Sequence, residues 1–261
     1  YLVWNPSEVP EAHGAALAAA IKANDRTVQV VSDYSVFADL NGFAGIFIAG
    51  GVYGGCHVVS NADSYYLGSY LEQGGRIYLE GGDVWAHDSW TNLQPFFQIT
   101  GLADGSQTYA GPVQGRHFCD GMDFTVSTDY TVNNFLDQID KKVQTLAKPI
   151  LTDTSGDFHT AVAFEHAAKA YRTIGASVPF VGMVANGGTL NGIMARYIDF
   201  FENGYPDCVA DTFCNDSVPC TADTCEGSVC VNSDLDNCTV CVNDSDCDDY
   251  YACNMKNLLC A

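Results

Sequence analysis

Cys56 and His57 are the first residues whose types point to chemistry. A thiol beside an imidazole, just past Gly50-Gly51, supplies the parts of a cysteine hydrolase. Adjacent side chains diverge in most loops, so a distal base such as His117 or His159 would be needed. The structural alternative for Cys56 is a disulfide with Cys119, because these are the two cysteines outside the C-terminal region. A second group, Glu80, Asp83, His87 and Asp88, has the types for acid–base work or a metal. It lacks a full ligand spacing such as H-x-x-x-H. Its structural alternative has Asp83 capping a turn and Glu80 bonding amides of a glycine loop. Trp4, Trp85, Trp90, Tyr53, Tyr65 and Tyr66 could stack on sugars, or fill core and rim.

The elements that must position these residues run from Gly45 to Trp85. Ile46, Phe47 and Ile48 read as a strand buried on both faces, ended by Gly50-Gly51. Ser60 or Asn61 can cap a helix carrying Tyr66, Leu67, Tyr70 and Leu71 on one stripe. Gly74-Gly75 closes it, Arg76 to Leu79 is the next strand, and Gly81-Gly82 breaks that strand. Before this unit come a strand at Leu2–Trp4, a helix through Ala15–Ala23 with Ser7 as N-cap, and a strand at Thr27–Val31. After it, a short helix should run through Phe97, and residues 101–131 read as irregular, with strands at Gln114–Phe118 and Asp123–Val126. A short helix is expected over Val132–Gln138. Strands are expected at Pro149–Leu151, Thr160–Phe164 and Ala170–Ile174, and a last helix at Leu190–Phe201. The alternation argues for an α/β three-layer sandwich, flavodoxin-like, with a mainly parallel sheet over residues 1–203. Ligands of such sheets usually sit at the carboxyl ends of strands, where both glycine turns fall.

A strand ending in Gly-Gly, a helix, and a second strand ending in a sharp turn resemble class I glutamine amidotransferases. In that family the first turn supplies oxyanion amides and the second is a nucleophile elbow, G-x-C-x-G. Here the first turn is Ala49-Gly50-Gly51, and the second is Leu79-Glu80-Gly81-Gly82-Asp83, without the cysteine. The stretch Tyr70 to Trp85 is more similar to degenerate members of this fold in secreted bacterial surface proteins, where "YL-x-x-GG-x-x-YLEGGD-x-W" patterns occur without an obvious triad. The resemblance implies an amidotransferase-like domain over residues 1–203 that has lost its acyl-enzyme route.

Asn203-Gly204-Tyr205-Pro206 marks a boundary, and residues 204–261 read as a second, disulfide-rich segment with little regular structure. Of 12 cysteines, ten lie here: Cys208, Cys214, Cys220, Cys225, Cys230, Cys238, Cys241, Cys247, Cys253 and Cys260. That density implies disulfides within the segment and an oxidising, extracellular location, in preference to zinc on the lone Cys238-x-x-Cys241. Val218 to Cys225 resembles the "PCT-x-DTC" repeat of secreted bacterial stalks, which implies a spacer rather than an enzyme. Asp244, Asp246 and Asp248 match half of a calcium loop, but Asp249 and Met255 stand where Gly and Glu belong. A looser calcium site using Asp234, Asp236, Asp244, Asp246 or Asp248 is the one cofactor expectation. Asn215, Asn237 and Asn243 open glycosylation sequons.

A net charge of −21, from 32 acidic and 11 basic residues, disfavours nucleic acid as a partner. No apolar run approaches the roughly 20 residues that span a bilayer. The start at Tyr1 reads as a processed or excised segment. Together these features give a non-catalytic extracellular module of a bacterial surface protein or filament, with copies of itself, surface proteins or polysaccharide as partners. The alternatives are a secreted hydrolase using Cys56 or the Glu80–Asp88 group, and a glycan-binding module.

Overall fold

The computed structural model describes residues 1–105, 111–127, 129, 136–206, 214, 221–226 and 229–233, and the backbone of 234, 253–254 and 259–260. The chain divides into two compact units, Tyr1–Tyr205 and Pro206–Ala261.

The first unit is the α/β sandwich expected, with a parallel sheet covered by helices. Strands β1 (Leu2–Trp4), β2 (Gln29–Val31) and β3 (Ile46–Ala49) alternate with α1 (Glu11–Ala23). A small hairpin, β4 (Gly51–Val52) and β5 (Gly55–Cys56), precedes α2 (Asn61–Glu72) and β6 (Arg76–Glu80). With β13 (Tyr171–Ala176) these strands lie in the order β2-β1-β3-β6-β13, all parallel. This is the flavodoxin-like order, whose switch point lies between β1 and β3. The strands are short and apolar because both faces are covered. Leu2, Ile46, Ile77 and Leu79 face the cluster under α2. Phe47 and Tyr78 face the other way and pack on Phe201 and Tyr197 of α3 (Leu190–Asn203). Helices α1 and α3 form that layer together.

Beyond β13 the sheet continues antiparallel, through β12 (His159–His166), β11 (Lys148–Asp153), β8 (Pro112–Gly115), β9 (Phe124–Val126) and β14 (Met183–Ala185). Strands β7 (Ile99–Asp104) and β10 (Asp137–Lys141) pair with each other, and β10 joins β12. Several local expectations change here. The helix expected at Val132–Gln138 is instead β10 where it is described, since Asp137 and Ile139 are buried in strand alternation. The strand expected at Gln114–Phe118 ends at Gly115 and is followed by a 3-10 turn, His117–Cys119. The helix before Phe97 is one 3-10 turn, Gln94–Phe97. Helix α1 begins after Pro10 rather than at Ser7. Asn5 is the reason: its amide donates to Pro6 O and Val9 O, closing residues 6–9 as a separate turn.

In the second unit β15 (Thr221–Glu226) and β16 (Val229–Asp234) form an antiparallel hairpin. Cys214 bonds Cys230 with a Cα separation of 5.1 Å, and Cys225 is also disulfide-bonded. Such bridges replace an apolar core by restricting the unfolded chain. Cys253 and Cys260 face each other across β17 (Cys253–Asn254) and β18 (Leu259–Cys260). Cys208, Cys220, Cys238, Cys241 and Cys247 lie outside the described residues, as do Asp236, Asp244, Asp246, Asp248, Asn215, Asn237 and Asn243. No helix among the described residues is long and apolar enough to cross a membrane.

The ends of β3 and β6 meet through backbone alone. A Cβ on Gly50 would lie 2.2 Å from Glu80 O, whereas one on Gly42 would meet nothing within 4 Å. Gly50→Ala is expected to cost about 1–3 kcal/mol through overpacking, and Gly42→Ala less than about 0.5 kcal/mol. Denaturant unfolding of both variants checks this.

Candidate functional site

The carboxyl ends of β1, β3 and β6 carry the loops with the expected chemistry. The two glycine turns bond to each other. Gly50 N–H donates to Glu80 O at 2.7 Å, Gly82 N–H to Gly51 O at 3.0 Å, and Gly81 N–H to Ala176 O at 3.0 Å. Three amides of the oxyanion and elbow positions are therefore satisfied internally. A Cβ on Gly81 would lie 2.5 Å from Val84 Cγ2, so the elbow is built for glycine.

Glu80 does not reach the glycine loop. Leu79 faces the α2 layer, so alternation sends Glu80 toward α1 together with Tyr78. Fully buried, its Oε2 accepts from Phe180 N at 2.7 Å and Tyr78 Oη at 2.8 Å. His13 Nδ1 lies 3.6 Å from its other oxygen. Glu80 thus ties β6 to the turn before β14 and to α1, and it is separated from His87.

Cys56 and Cys119 are free thiols, which corrects the expected pairing. Their surroundings differ. Cys56 is half-buried in β5, and burial followed by the charges of Asp83 and Asp88 pushes its pKa up. Cys119 is fully buried in its 3-10 turn, with Arg196 of α3 as its charged neighbour. Parity alone could not place them together. A thiol pushed up in pKa is a poor nucleophile at neutral pH. His117 and His159 offer it no base. His117 packs on Phe118 and Tyr205, and His159 Nδ1 bonds Thr152 Oγ1 at 3.0 Å in the antiparallel half.

His57 is held between two acids. Its Nδ1 lies 2.5 Å from Glu8 Oε1 in the loop after β1, and its Nε2 lies 3.1 Å from Asp63 Oδ2 in α2. Asp63 also accepts from Tyr34 Oη at 2.7 Å and Ser60 N at 2.8 Å. Trp4 meets the imidazole edge-on at 4.8 Å between centroids. Burial works against charge on His57, but the bonds to Asp63 and Glu8 outweigh it and raise its pKa. The bond from His57 likewise holds Glu8 below the usual carboxylate range. Burial pushes Asp63 upward, yet its bonds from His57, Tyr34 and Ser60 bring it well below that range. The result is an imidazolium clamp that joins the loops after β1 and β5 to α2, with both ring nitrogens engaged. Ser60 was legible as the cap, and Ser60-x-x-Asp63 closes as a capping box. Glu8 and Tyr34 carried no sequence signal of this contact. A cleft of about 820 Å³ borders the clamp, lined by Ser7, Glu8, Glu11, Lys22 and Ser32 among others.

The acids after β6 form a separate neighbourhood. Asp83 is buried and accepts Asp88 N–H through its backbone carbonyl at 2.8 Å, closing a turn. Burial raises both carboxyl pKa values. His87 is exposed and bonds Asp104 at 3.0 Å. Asp137 is the residue that sequence reasoning missed. Its Oδ2 accepts from Trp85 N at 2.7 Å and Ala86 N at 2.8 Å. Burial pushes its pKa up to about 7 despite those amides, and Asp83 and Asp104 add to the shift. The sequence Leu136-Asp137-Gln138-Ile139 carries no apolar alternation that marks Asp137 as buried, and its burial beside Ile139 shows only in β10. Among the described residues no three His, Cys, Asp or Glu side chains gather as a metal site. Trp4 and Trp85 are core, whereas Tyr53, Tyr65 and Trp90 are exposed.

No protein-family model matches the chain, and no curated protein does. Solved structures share its architecture at low identity. The mmIFT52 N-terminal domain is 15% identical, with 73% of this chain and 90% of that one covered and a TM-score of 0.51. A cold-adapted β-galactosidase from Rahnella sp. R3 is 12% identical, with 81% and 29% covered and a TM-score of 0.50. An exo-β-1,4-mannosidase from Opitutaceae bacterium strain TAV5 is 12% identical, with 78% and 33% covered and a TM-score of 0.47. The chain spans about a third of the length of those two glycosidases. The likeness is one of fold.

The clamp's carboxylates and Asp137 titrate in opposite senses, whereas His57 and Asp137 both lose stability as pH rises. The folded pKa of His57 exceeds its unfolded value of about 6.5. Its stabilisation is therefore complete below that value and lost as pH rises through the folded one. Glu8 and Asp63 contribute above about pH 4.5 and lose this in acid. His57→Gln should cost about 2 kcal/mol near pH 6, with a gap from wild type that narrows toward pH 9 in denaturant melts. The folded pKa of Asp137 is also raised, so wild type loses stability as pH rises from about 4 toward about 7. Asp137→Asn keeps an acceptor for both amides and removes the charge. It should gain on wild type by a few kcal/mol between pH 4.5 and 8, at about 1.4 kcal/mol per pKa unit. Equal differences at the two pH values would show that Asp137 does not titrate there.

Proposed function

We propose that this chain is a non-catalytic module of an extracellular protein, serving structure or interaction, with the disulfide-bonded unit as a stalk or link. The observation that carries the reading is the internal bonding of the glycine turns. The amides that would stabilise an oxyanion already donate to Glu80 O, Gly51 O and Ala176 O. The elbow residues Gly81 and Gly82 have no side-chain nucleophile. The Cys56 thiol is disfavoured as a thiolate, and both nitrogens of His57 are engaged. Glu80 points into the α1 layer, away from Asp83 and His87. Secretion is supported by the Cys214–Cys230 disulfide and the cysteine density around it. Copies of itself, surface proteins or polysaccharide are the partners that this reading favours.

The test is a screen of amide, ester and glycoside substrates on the intact chain, with Cys56→Ala, Glu80→Gln and His87→Ala alongside. The expected outcome is no turnover above background in any of the four proteins. Removing a triad nucleophile leaves about 10³–10⁴-fold over water, which falls below such a screen. Turnover by wild type that vanishes in one variant would identify a catalytic residue and refute the reading.

A further inference from the structure

The opposite end of the sheet, where the chain enters β3 and β6, carries two adjoining depressions of about 170 and 230 Å³. Both are lined by Asn41, Tyr70 and Gln73. Tyr65 stands beside the first, with 80% of its surface exposed on α2. Its neighbour Tyr66 is fixed, because the hydroxyl donates to Phe37 O at 2.9 Å. Tyr70 is fixed likewise on Phe43 O at 3.0 Å. The ridge between the depressions is an amide pair: Asn41 Nδ2 donates to Gln73 Oε1 at 2.9 Å, and Gln73 Nε2 to Ser69 O at 3.1 Å. Asp39 orders the loop by accepting from Asn41 N at 2.9 Å. The second depression includes Arg76, whose buried Nε has no hydrogen-bond partner among the described residues.

These are the parts that recognise a carbohydrate. A flat aromatic face is open to solvent, beside two exposed amides whose remaining N–H and C=O groups lie at the rim. Both amides and the floor tyrosines are held by bonds to the protein, so ordering them costs a ligand little. Arg76 lines the far depression, where a guanidinium N–H can donate to a sugar oxygen. The two depressions together approach the lower size range of small-molecule sites. A purely apolar ligand would leave the amides and Arg76 unanswered. A phosphate would answer Arg76 but leave Tyr65 and the amide ridge unused.

We infer that this groove binds a two-sugar segment of a polysaccharide, one ring on Tyr65 and the next reaching over the Asn41–Gln73 pair toward Arg76. The site lies away from the glycine turns and does not depend on their being silent. The test is saturation-transfer NMR and calorimetry on the full chain with maltose, cellobiose, N,N′-diacetylchitobiose and a glucuronate-containing disaccharide. Binding by at least one of the four is expected, about tenfold weaker in Tyr65→Ala and in Gln73→Ala, and kept in Tyr65→Phe. Tyr53→Ala, an exposed tyrosine on the β4–β5 turn, should bind as wild type does. Tyr65 is exposed enough for its removal to leave the fold intact, which circular dichroism verifies. No binding by any disaccharide, or binding that Tyr65→Ala and Gln73→Ala leave unchanged, would overturn the inference.

Discussion

The contact on which the first unit depends is a backbone one. Gly50 and Gly81 let the ends of β3 and β6 approach until Gly50 N–H reaches Glu80 O at 2.7 Å. Side chains at these positions would collide with Glu80 O and Val84. Buried amides and carbonyls must find partners, and here they find one another. That choice decides the chemistry of the whole edge. In a parallel sheet the strand ends are where unpaired amides can meet a ligand. Here the amides of Gly50, Gly81 and Gly82 at that position donate within the protein. The same interlock fixes where the later loops begin. His57 N–H donates to Gly50 O, and Asp137 N–H to Gly82 O, each at 2.8 Å. The clamp and the buried carboxyl therefore both hang from the glycine turns.

Two solutions to acidic crowding follow from those anchor points. The chain carries 32 acidic and 11 basic residues, so lone carboxylates near the strand ends repel each other. Around His57 the answer is an imidazolium with a carboxylate on each nitrogen, which offsets one of the two negative charges. Around Asp137 burial comes first and the charges of Asp83 and Asp104 add to it, raising the carboxyl pKa to about 7. The first arrangement binds loops more firmly as acids ionise, and the second relaxes as its proton leaves. Their optima overlap in mildly acidic solution. Burial first, and then the same acidic field from Asp83 and Asp88, raise the pKa of Cys56, the residue that looked most reactive in sequence.

Much of the fold was legible because strand burial on both faces leaves short unbroken apolar runs, as at Ile46–Ile48. Gly-Gly turns then set their ends. The parallel order follows once helices must cover both faces. The antiparallel half was harder. Its strands carry polar residues such as Asp137, Thr152 and Thr160 inside, and Asp137 Oδ2 finds its partners 52 and 51 residues away at Trp85 and Ala86, which no local pattern encodes. Asp137 was read within a helix for that reason. At the site, the residue types were visible but their contacts were not. Glu8 meets His57 across 49 positions, and Tyr34 meets Asp63 across 29. Cysteine parity failed for a related reason: it counts thiols without placing them, and Arg196 beside Cys119 belongs to a different layer from Asp83 beside Cys56.

The distribution of unused hydrogen-bonding capacity separates the two ends of the sheet. At the carboxyl end the amides of Gly50, Gly81 and Gly82, both ring nitrogens of His57 and Oε2 of Glu80 are engaged within the protein. At the amino end Asn41 donates to Gln73, Gln73 donates to Ser69 of α2, and both amides retain exposed donors and acceptors. Side chains fixed by some of their bonds and open with the rest are pre-organised for a polar ligand, since the entropy of holding them is already met by the fold. Groups that are fully satisfied add rigidity but offer a ligand nothing. Under the reading proposed above, recognition on this fold is built where the sheet and α2 leave amides and an aromatic face open, and not at the strand ends where the turn amides are already engaged.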